Sequence, residues 1–569
     1  MRSRQDLIAK LRTDKESIPE VLIVGAGING IGLYRDLALQ GVSALLVDKA
    51  DFSSGTSAAP SRLIHGGLRY LETGEFALVK ESVIERNHLL RNAHHLVRPL
   101  PVWVPAFNYF GGMFSAGLRF LKLKKTPGPK GIFVVKLGLM FFDRFGRKNR
   151  MMPDHRLVSG TELRRRMPML SGRVRAIAEY YDARLTHPER LALELVKDSE
   201  RDSPASLAIP YMALQGMADN AVLLHDEING ETFRIKPKLV VNCAGPWVDE
   251  ANRRLGIEGK LIGGTRGSHL VLRRPDIARQ LGNGMLYFET HDFRACLVYA
   301  LDDELILLGT TDIRADNPDT VRCSDDEITY LFAVLEQVLP GANAKREEIT
   351  FAYAGLRPLP YSGDGTTGAI SRDHSFRTYE PDGSRPFDLV TLVGGKWTTY
   401  RACAEQLADV VLGRLGKARS KSTLDAPIGG AANLKPQDRT AQQALAGKLV
   451  QTYPLAPDIA ERLVRRYGSQ TMEVGAFLKG ADLAVVKGCK DYLVGEIRWI
   501  CARERVTRLS DIALRRTLLP FENALTPAGL HNLAGIAAEE LGWDETRRSA
   551  EVEQTMGLLE DRYRLNFNA

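Results

Sequence analysis

The apolar run Val21–Val24 is followed by a glycine-rich turn, and then by apolar residues at helical spacing from Ile28 to Leu39. A second apolar run, Ala44–Val47, ends at Asp48. This order predicts strand, turn, helix, strand. Further short strands are predicted within 238–245 (KLVVNCAG), 268–273 (SHLVLR), 305–312 (LILLGTTD) and 387–395 (FDLVTLVGG). Polar turns and helices separate them without strict βα alternation. The pattern therefore predicts an α/β protein: a Rossmann-like dinucleotide domain with an interleaved mixed-sheet lobe. Beyond a polar stretch at 417–440, read as a linker, the 3.6-residue period dominates in DIAERLVRRYG, YLVGEIRWICARE and LSDIALRRTLL. An all-α C-terminal domain is expected over 441–569, after a tail at 1–19 and the interleaved domains at 20–416.

Composition narrows the class. A chain of 569 residues with 44% hydrophobic and 26% charged residues is ordinary for a soluble multidomain protein. Its six cysteines are scattered without CxxC spacing, which argues against a zinc site or disulfide framework and suits a reducing compartment. The N-terminal segment has no apolar signal core, so a cytoplasmic start is expected. The apolar run 131–142 is interrupted by Lys136 and is shorter than the ~20 residues that span a bilayer. The net charge of +8 is concentrated: ten Lys/Arg face one acid between Gly111 and Arg150, and the remainder is close to neutral. An electrostatic partner is expected there. No nucleic-acid-binding motif accompanies the charge.

Gly25-x-Gly27-x-x-Gly30 with Asp48 after the next strand is a dinucleotide fingerprint. Gly25 permits the turn, Gly27 admits a pyrophosphate to the backbone, and Gly30 lets the helix close on the strand. Asp48 is positioned for a ribose hydroxyl. A second signal is the run into Gly394-Gly395, where Thr398 and Thr399 are candidates to cap the next helix. That helix N-terminus would favour the negative charge of a reduced flavin. Between them lies RLIHGGLRYL at 62–71, where Gly66 and Gly67 remove side chains from an apolar setting, as a flat ring close to the backbone would require.

GAGINGIG (25–32), SRLIHGGLRYLE (61–72), CAGPWV (243–248), RGSHLVL (266–272), GTTD (309–312), AGLRPLP (354–360) and GGKWTTYR (394–401) together resemble the FAD-dependent, quinone-linked glycerol-3-phosphate dehydrogenases. The stretch 492–517 is similar to that family's helical C-terminal domain. The resemblance implies FAD held by Gly25, Gly27, Asn29, Gly30, Asp48, Thr56, Ser57, His65, Gly66, Gly67, Gly245, Gly395, Thr398 and Thr399. It implies sn-glycerol 3-phosphate bound by Arg69, Tyr70, Arg357, Arg372 and Lys396, with His269, Arg357 and Lys396 catalytic. Guanidinium groups suit a phosphate dianion, and an imidazole suits the hydroxyl proton. For that proton, Lys396 or a water is the alternative to His269. It further implies reoxidation by membrane quinone, attachment to an anionic lipid surface at the cytoplasmic face of the plasma membrane, and no metal. A homodimer is left open.

Alternatives remain at this stage: an oxidase passing electrons to oxygen, a dehydrogenase of another polyol phosphate such as erythritol phosphate, and a flavin-binding regulator without turnover. The sequence departs from the family at the stretch 105–135, which is longer than in shorter members, and at Trp397, which stands where a smaller residue is usual. There is no calcium-binding loop.

Overall fold

In the computed structural model, residues 1–13, 19–67, 75–107, 135–136, 138–140, 142, 144, 151–290, 294–362, 373–436 and 438–567 are described. Arg69, Tyr70 and Arg372 lie outside them, as does most of the basic stretch 111–150.

The dinucleotide fingerprint sits where the hydrophobic pattern puts it. Strand Val21–Val24, helix Ile28–Leu39 and strand Ala44–Val47 follow in order, with all eight strand residues buried. Helix Tyr400–Arg414 and helix Pro188–Asp202 cover the same sheet, packing on Ile28–Leu39. The sheet has six strands: Ser375–Tyr379, Asp388–Val393, Leu239–Asn242, Val21–Val24, Ala44–Val47 and Leu207–Ile209, in that spatial order. All neighbours are parallel except Ser375–Tyr379, which runs antiparallel at one edge. Ligands in such sheets bind beyond the carboxyl ends of the central strands. Here those ends carry Gly25, Asp48, Cys243 and Gly394.

Among the described residues, a mixed sheet of ten strands forms the second lobe. Its strand Thr265–Arg273 pairs antiparallel with both Leu305–Gly309 and Ile349–Arg357. Its longest pair, Val97–Ala106 with Ala176–Leu185, was not apparent from the sequence.

The C-terminal segment is helical: Arg439–Thr452, Pro457–Tyr467, Thr471–Leu478, Val494–Arg503, Pro527–Leu541 and Glu545–Tyr563 are its main helices. It docks through buried ion pairs. Arg516 meets Asp51 just beyond Asp48, Arg190 meets Glu504, and Arg505 meets Glu200 at 2.8 Å. A π-helical turn at Ile512–Arg516 aims Arg515 and Arg516 into this junction. Residues 417–436 contain no strand or α-helix but are tied down. Ile428 donates its N–H to the Asn92 carbonyl, and Gly429 donates to Asp198.

Candidate FAD and substrate site

The two sheets and the C-terminal helical segment line a cavity of about 1770 Å³, well above the usual range for one small ligand. Its dinucleotide end follows from three glycines. Gly25 has φ of +104°, and a Cβ there would press on the Cys243 carbonyl; a Cβ on Gly30 would collide with the Gly25 carbonyl. Gly27 stands at the helix N-cap and supplies no side chain to cover the first-turn amides. Ser57 Oγ accepts from Ile28 N–H at 3.0 Å. Asp48 accepts from the amides of Ala26 at 2.7 Å and Ala50 at 3.0 Å. Burial nevertheless pushes its carboxyl up to about 6, against the pull of those two donors.

These residues fit a flavin dinucleotide. Asn29 lines the cavity, and its Oδ1 is buried with no partner among the described residues. A Cβ on Gly395 (φ +100°) would fill the space against that amide. Thr56, His65, Gly67, Gly245, Gly395 and Thr398 also line the cavity.

Three expectations about individual residues change. A Cβ on Gly66 would collide with the Phe142 ring, and its N–H goes to Asp182 at 2.9 Å, so its bareness serves packing and it does not line the cavity. Thr399 occupies the N-cap of Tyr400–Arg414 without a side-chain capping bond. Thr398 instead accepts the His65 N–H at 3.2 Å, tying two cavity walls together.

The other end of the cavity is built on Thr265–Arg273. Its register sets His269 opposite both Gly309 and Tyr353, and Thr265 opposite Arg357. The His269 ring stacks on Tyr353, with centroids 4.8 Å apart and planes 12° apart. On its other side Gly309 leaves the room, because a Cβ there would collide with the imidazole. His269 Nε2 lies 2.7 Å from Ser61 Oγ. Its pKa is lowered to about 3, first by burial, then by the charges of Arg357 and Arg62. Arg357 lines the cavity with its guanidinium held by Asp312 Oδ1 at 3.1 Å and Thr310 Oγ1 at 3.1 Å. Lys396 lines it too. His269, Arg357 and Lys396 are thus gathered in one cavity with the fingerprint residues.

The family model described as FAD dependent oxidoreductase matches residues 20–410, and that of the C-terminal domain of alpha-glycerophosphate oxidase matches 421–548. A glycerol-3-phosphate dehydrogenase of Synechocystis sp. is 31% identical, covering 94% of this chain and 95% of that protein. The chain belongs to the FAD-dependent glycerol-3-phosphate dehydrogenase family. A D-erythritol 1-phosphate dehydrogenase of Brucella abortus is 28% identical over 88% of this chain and 94% of its own length. The fold of the glycerol-3-phosphate dehydrogenase of Bacillus halodurans, solved with FAD, matches with a TM-score of 0.77 at 22% identity, covering 100% and 99% of the two chains. FAD is the cofactor, as the family match shows, and the cavity accommodates it.

Several members of the cavity wall take roles that the sequence did not assign. Lys49, Trp247 and Asp319 meet at its mouth: the lysine lies over the indole at 4.5 Å, and Asp319 accepts from both, at 2.9 Å and 3.0 Å. Trp397, the unusual residue of its motif, donates its indole N–H to the Ser57 carbonyl at 3.0 Å and so braces the dinucleotide loop. Asp312 orients Arg357, and Ser61 contacts His269.

One glycine has a directly testable role. A Cβ on Gly267 would overlap the Arg357 guanidinium, which is the flexible tip of its side chain. Gly267→Ala should therefore displace that tip without disturbing the fold. We expect kcat/KM to fall roughly 10- to 100-fold, equivalent to about 1.4–2.7 kcal/mol, mostly through KM. FAD content and melting temperature should stay near those of the parent. A variant with unchanged KM would show that Arg357 does not meet the substrate.

Proposed function

We propose that this enzyme oxidises sn-glycerol 3-phosphate to dihydroxyacetone phosphate, with FAD taking the hydride, and passes the electrons on to a membrane quinone. The observation that carries the reading is the pairing of a buried, neutral imidazole with an oriented guanidinium at one end of the dinucleotide cavity. Arg357, with Lys396, Arg69 and Arg372, binds the phosphate, and Tyr70 contacts the substrate; Gly25, Gly27, Gly30 and Asp48, with the residues bordering them, hold the dinucleotide.

His269 accepts the hydroxyl proton. Its neutrality means that it has a lone pair available across the working pH range, but the same environment makes it a weak base. After burial, the Arg357 charge suppresses it most. A phosphate dianion on Arg357 cancels that charge, so substrate binding raises the proton affinity of the residue that must take the proton. Glycerol lacks the phosphate and forfeits both the binding and this adjustment.

Anaerobic mixing with a panel of polyol phosphates, while following flavin bleaching, tests the substrate. Bleaching should be fastest with sn-glycerol 3-phosphate. The Brucella abortus relative supports erythritol 1-phosphate as the second reading, and faster bleaching with that compound would replace the first. A second mixing with quinone or oxygen assigns the acceptor.

The quinone reading needs a surface attachment, since no helix among the described residues is long and apolar enough to cross a membrane. The basic stretch 111–150 supplies cations worth about 1 kcal/mol each near an anionic surface. Not all of its phenylalanines are available, because Phe142 is 2% exposed and packs edge-on against Tyr180. Replacing Lys122, Lys124, Lys125 and Lys130 together with glutamine should release the enzyme from anionic vesicles. Dye-linked turnover in solution should persist while quinone-linked turnover on vesicles falls. Undiminished vesicle binding would remove this stretch as the attachment.

A further inference from the structure

His269 has two ring nitrogens, and the structure treats them differently. Nδ1 is buried without a hydrogen-bond partner among the described residues. Nε2 lies 2.7 Å from Ser61 Oγ. The ring itself cannot turn easily, being clamped between Tyr353 and the backbone of Gly309. A proton coming from the cavity therefore arrives at Nε2, where Ser61 already stands.

Ser61 is held as firmly as the ring. Tyr353, on which His269 stacks, donates its hydroxyl to the Pro60 carbonyl at 2.8 Å, and Tyr299 donates to the Ser61 carbonyl at 3.2 Å. Two tyrosines from two strands thus fix the backbone on which the serine sits. Ser61 is half-buried and lines the cavity, whereas His269 is only 2% exposed. The hydroxyl is the more accessible end of the pair.

We propose that Ser61 Oγ relays the substrate proton to His269. This rests on the reading of His269 as the proton acceptor. The substrate O–H bond breaks as a new O–H bond forms at Ser61 Oγ. The original Ser61 proton passes to Nε2, and the hydride leaves the adjacent carbon for FAD, so the carbonyl forms with all charges balanced. Before the transfer Ser61 donates to Nε2, which requires the neutral ring to carry its hydrogen on Nδ1. The relay explains why a base so deeply buried serves a reaction at the cavity surface. It also makes Ser61 more than a packing residue beside the glycines at 66 and 67.

Anaerobic stopped-flow mixing of the holoenzyme with sn-glycerol 3-phosphate tests the relay. Ser61→Ala should slow flavin reduction tenfold to a thousandfold, with FAD content and substrate dissociation constant within a few-fold of the parent. Ser61→Thr, which keeps the hydroxyl, should recover most of that loss. In mixtures of H2O and D2O the parent's reduction rate should show a curved proton inventory, as two protons move together, and Ser61→Ala a linear one. The 15N spectrum of histidine-labelled holoenzyme, assigned with His269→Gln, should show the Nδ1–H tautomer in the parent and its loss in Ser61→Ala. Native-rate reduction by Ser61→Ala, or a linear inventory in the parent, overturns the relay. If His269→Gln is slow while Ser61→Ala is not, the acceptor stands and the relay falls. If His269→Gln reduces FAD at the native rate, both fall.

Discussion

Arg357→Ala is expected to lower kcat/KM for sn-glycerol 3-phosphate by about 3–5 kcal/mol, roughly a hundred- to several-thousandfold. The side chain of Arg357 is 24% exposed and its nearest carboxylate, Asp312, is 17% exposed, so the pair sits in a partly dehydrated setting where charge matters. Removing the guanidinium leaves Asp312 facing the incoming phosphate, and two negative groups then repel where one positive group had bridged them. The loss should appear in both KM and kcat. Phosphate binding weakens, and the adjustment of His269 by the dianion disappears with the arginine. FAD stoichiometry should not change, because the hydrogen bonds of this side chain to Thr310, Thr311 and Asp312 are made outside the fingerprint. Near-parental kinetics would exclude Arg357 from the phosphate site. Arg357→Lys should recover only part of the loss, since an ammonium cannot hold Asp312, Thr310 and phosphate in one plane.

How far such a site can be read from sequence depends on how local its causes are. Gly25, Gly30 and Asp48 were legible because each answers a constraint set within a few dozen residues: a left-handed φ, a helix pressed on a turn, a carboxylate after a strand. Gly66 misled for the opposite reason, since what demands its small size is Phe142, far along the chain. The strand Val97–Ala106 carries Pro99, Pro101 and Pro105, residues that ordinarily interrupt a strand, so its sequence does not mark it as one. All three share one parity, so their missing N–H groups fall on one side of the strand and the other side keeps its hydrogen bonds. Ser61 and Asp312 stand inside the recognisable stretches SRLIHGGLRYLE and GTTD, but nothing in the sequence gives them a role, and Tyr353 and Tyr299 carry no signal of their own. Tyr353 reaches His269 through the register of Thr265–Arg273 with Ile349–Arg357, whereas Ser61 and Asp312 reach His269 and Arg357 from loops. The docking of the helical domain was likewise silent, because Arg516 and Asp51 are 465 residues apart.

His269→Gln is expected to slow flavin reduction by roughly 10²- to 10⁴-fold, the range for losing a general base. Glutamine places its side-chain amide near the Nε2 position, where the amide oxygen can still accept from Ser61 Oγ, so FAD content should be preserved. The pH dependence separates this from a packing effect. The folded-state pKa of His269, about 3, lies below the ordinary histidine value of about 6.5, so folding favours the neutral ring. Its contribution to stability is fully present above about pH 6.5 and declines as pH falls toward about 3, because only the unfolded chain binds the extra proton. The glutamine variant lacks this titration. Its melting temperature relative to the parent should therefore improve steadily as pH drops through that window. In catalysis the same low pKa means that His269 contributes no acid limb near pH 6.5 in kcat/KM. A limb near pH 6 should remain in both proteins, since it belongs to the second ionisation of the substrate phosphate, which Arg357 requires as the dianion. A parental limb near pH 6.5 that vanished in His269→Gln would show instead that the imidazole titrates at its ordinary value, and the buried neutral base would have to be given up.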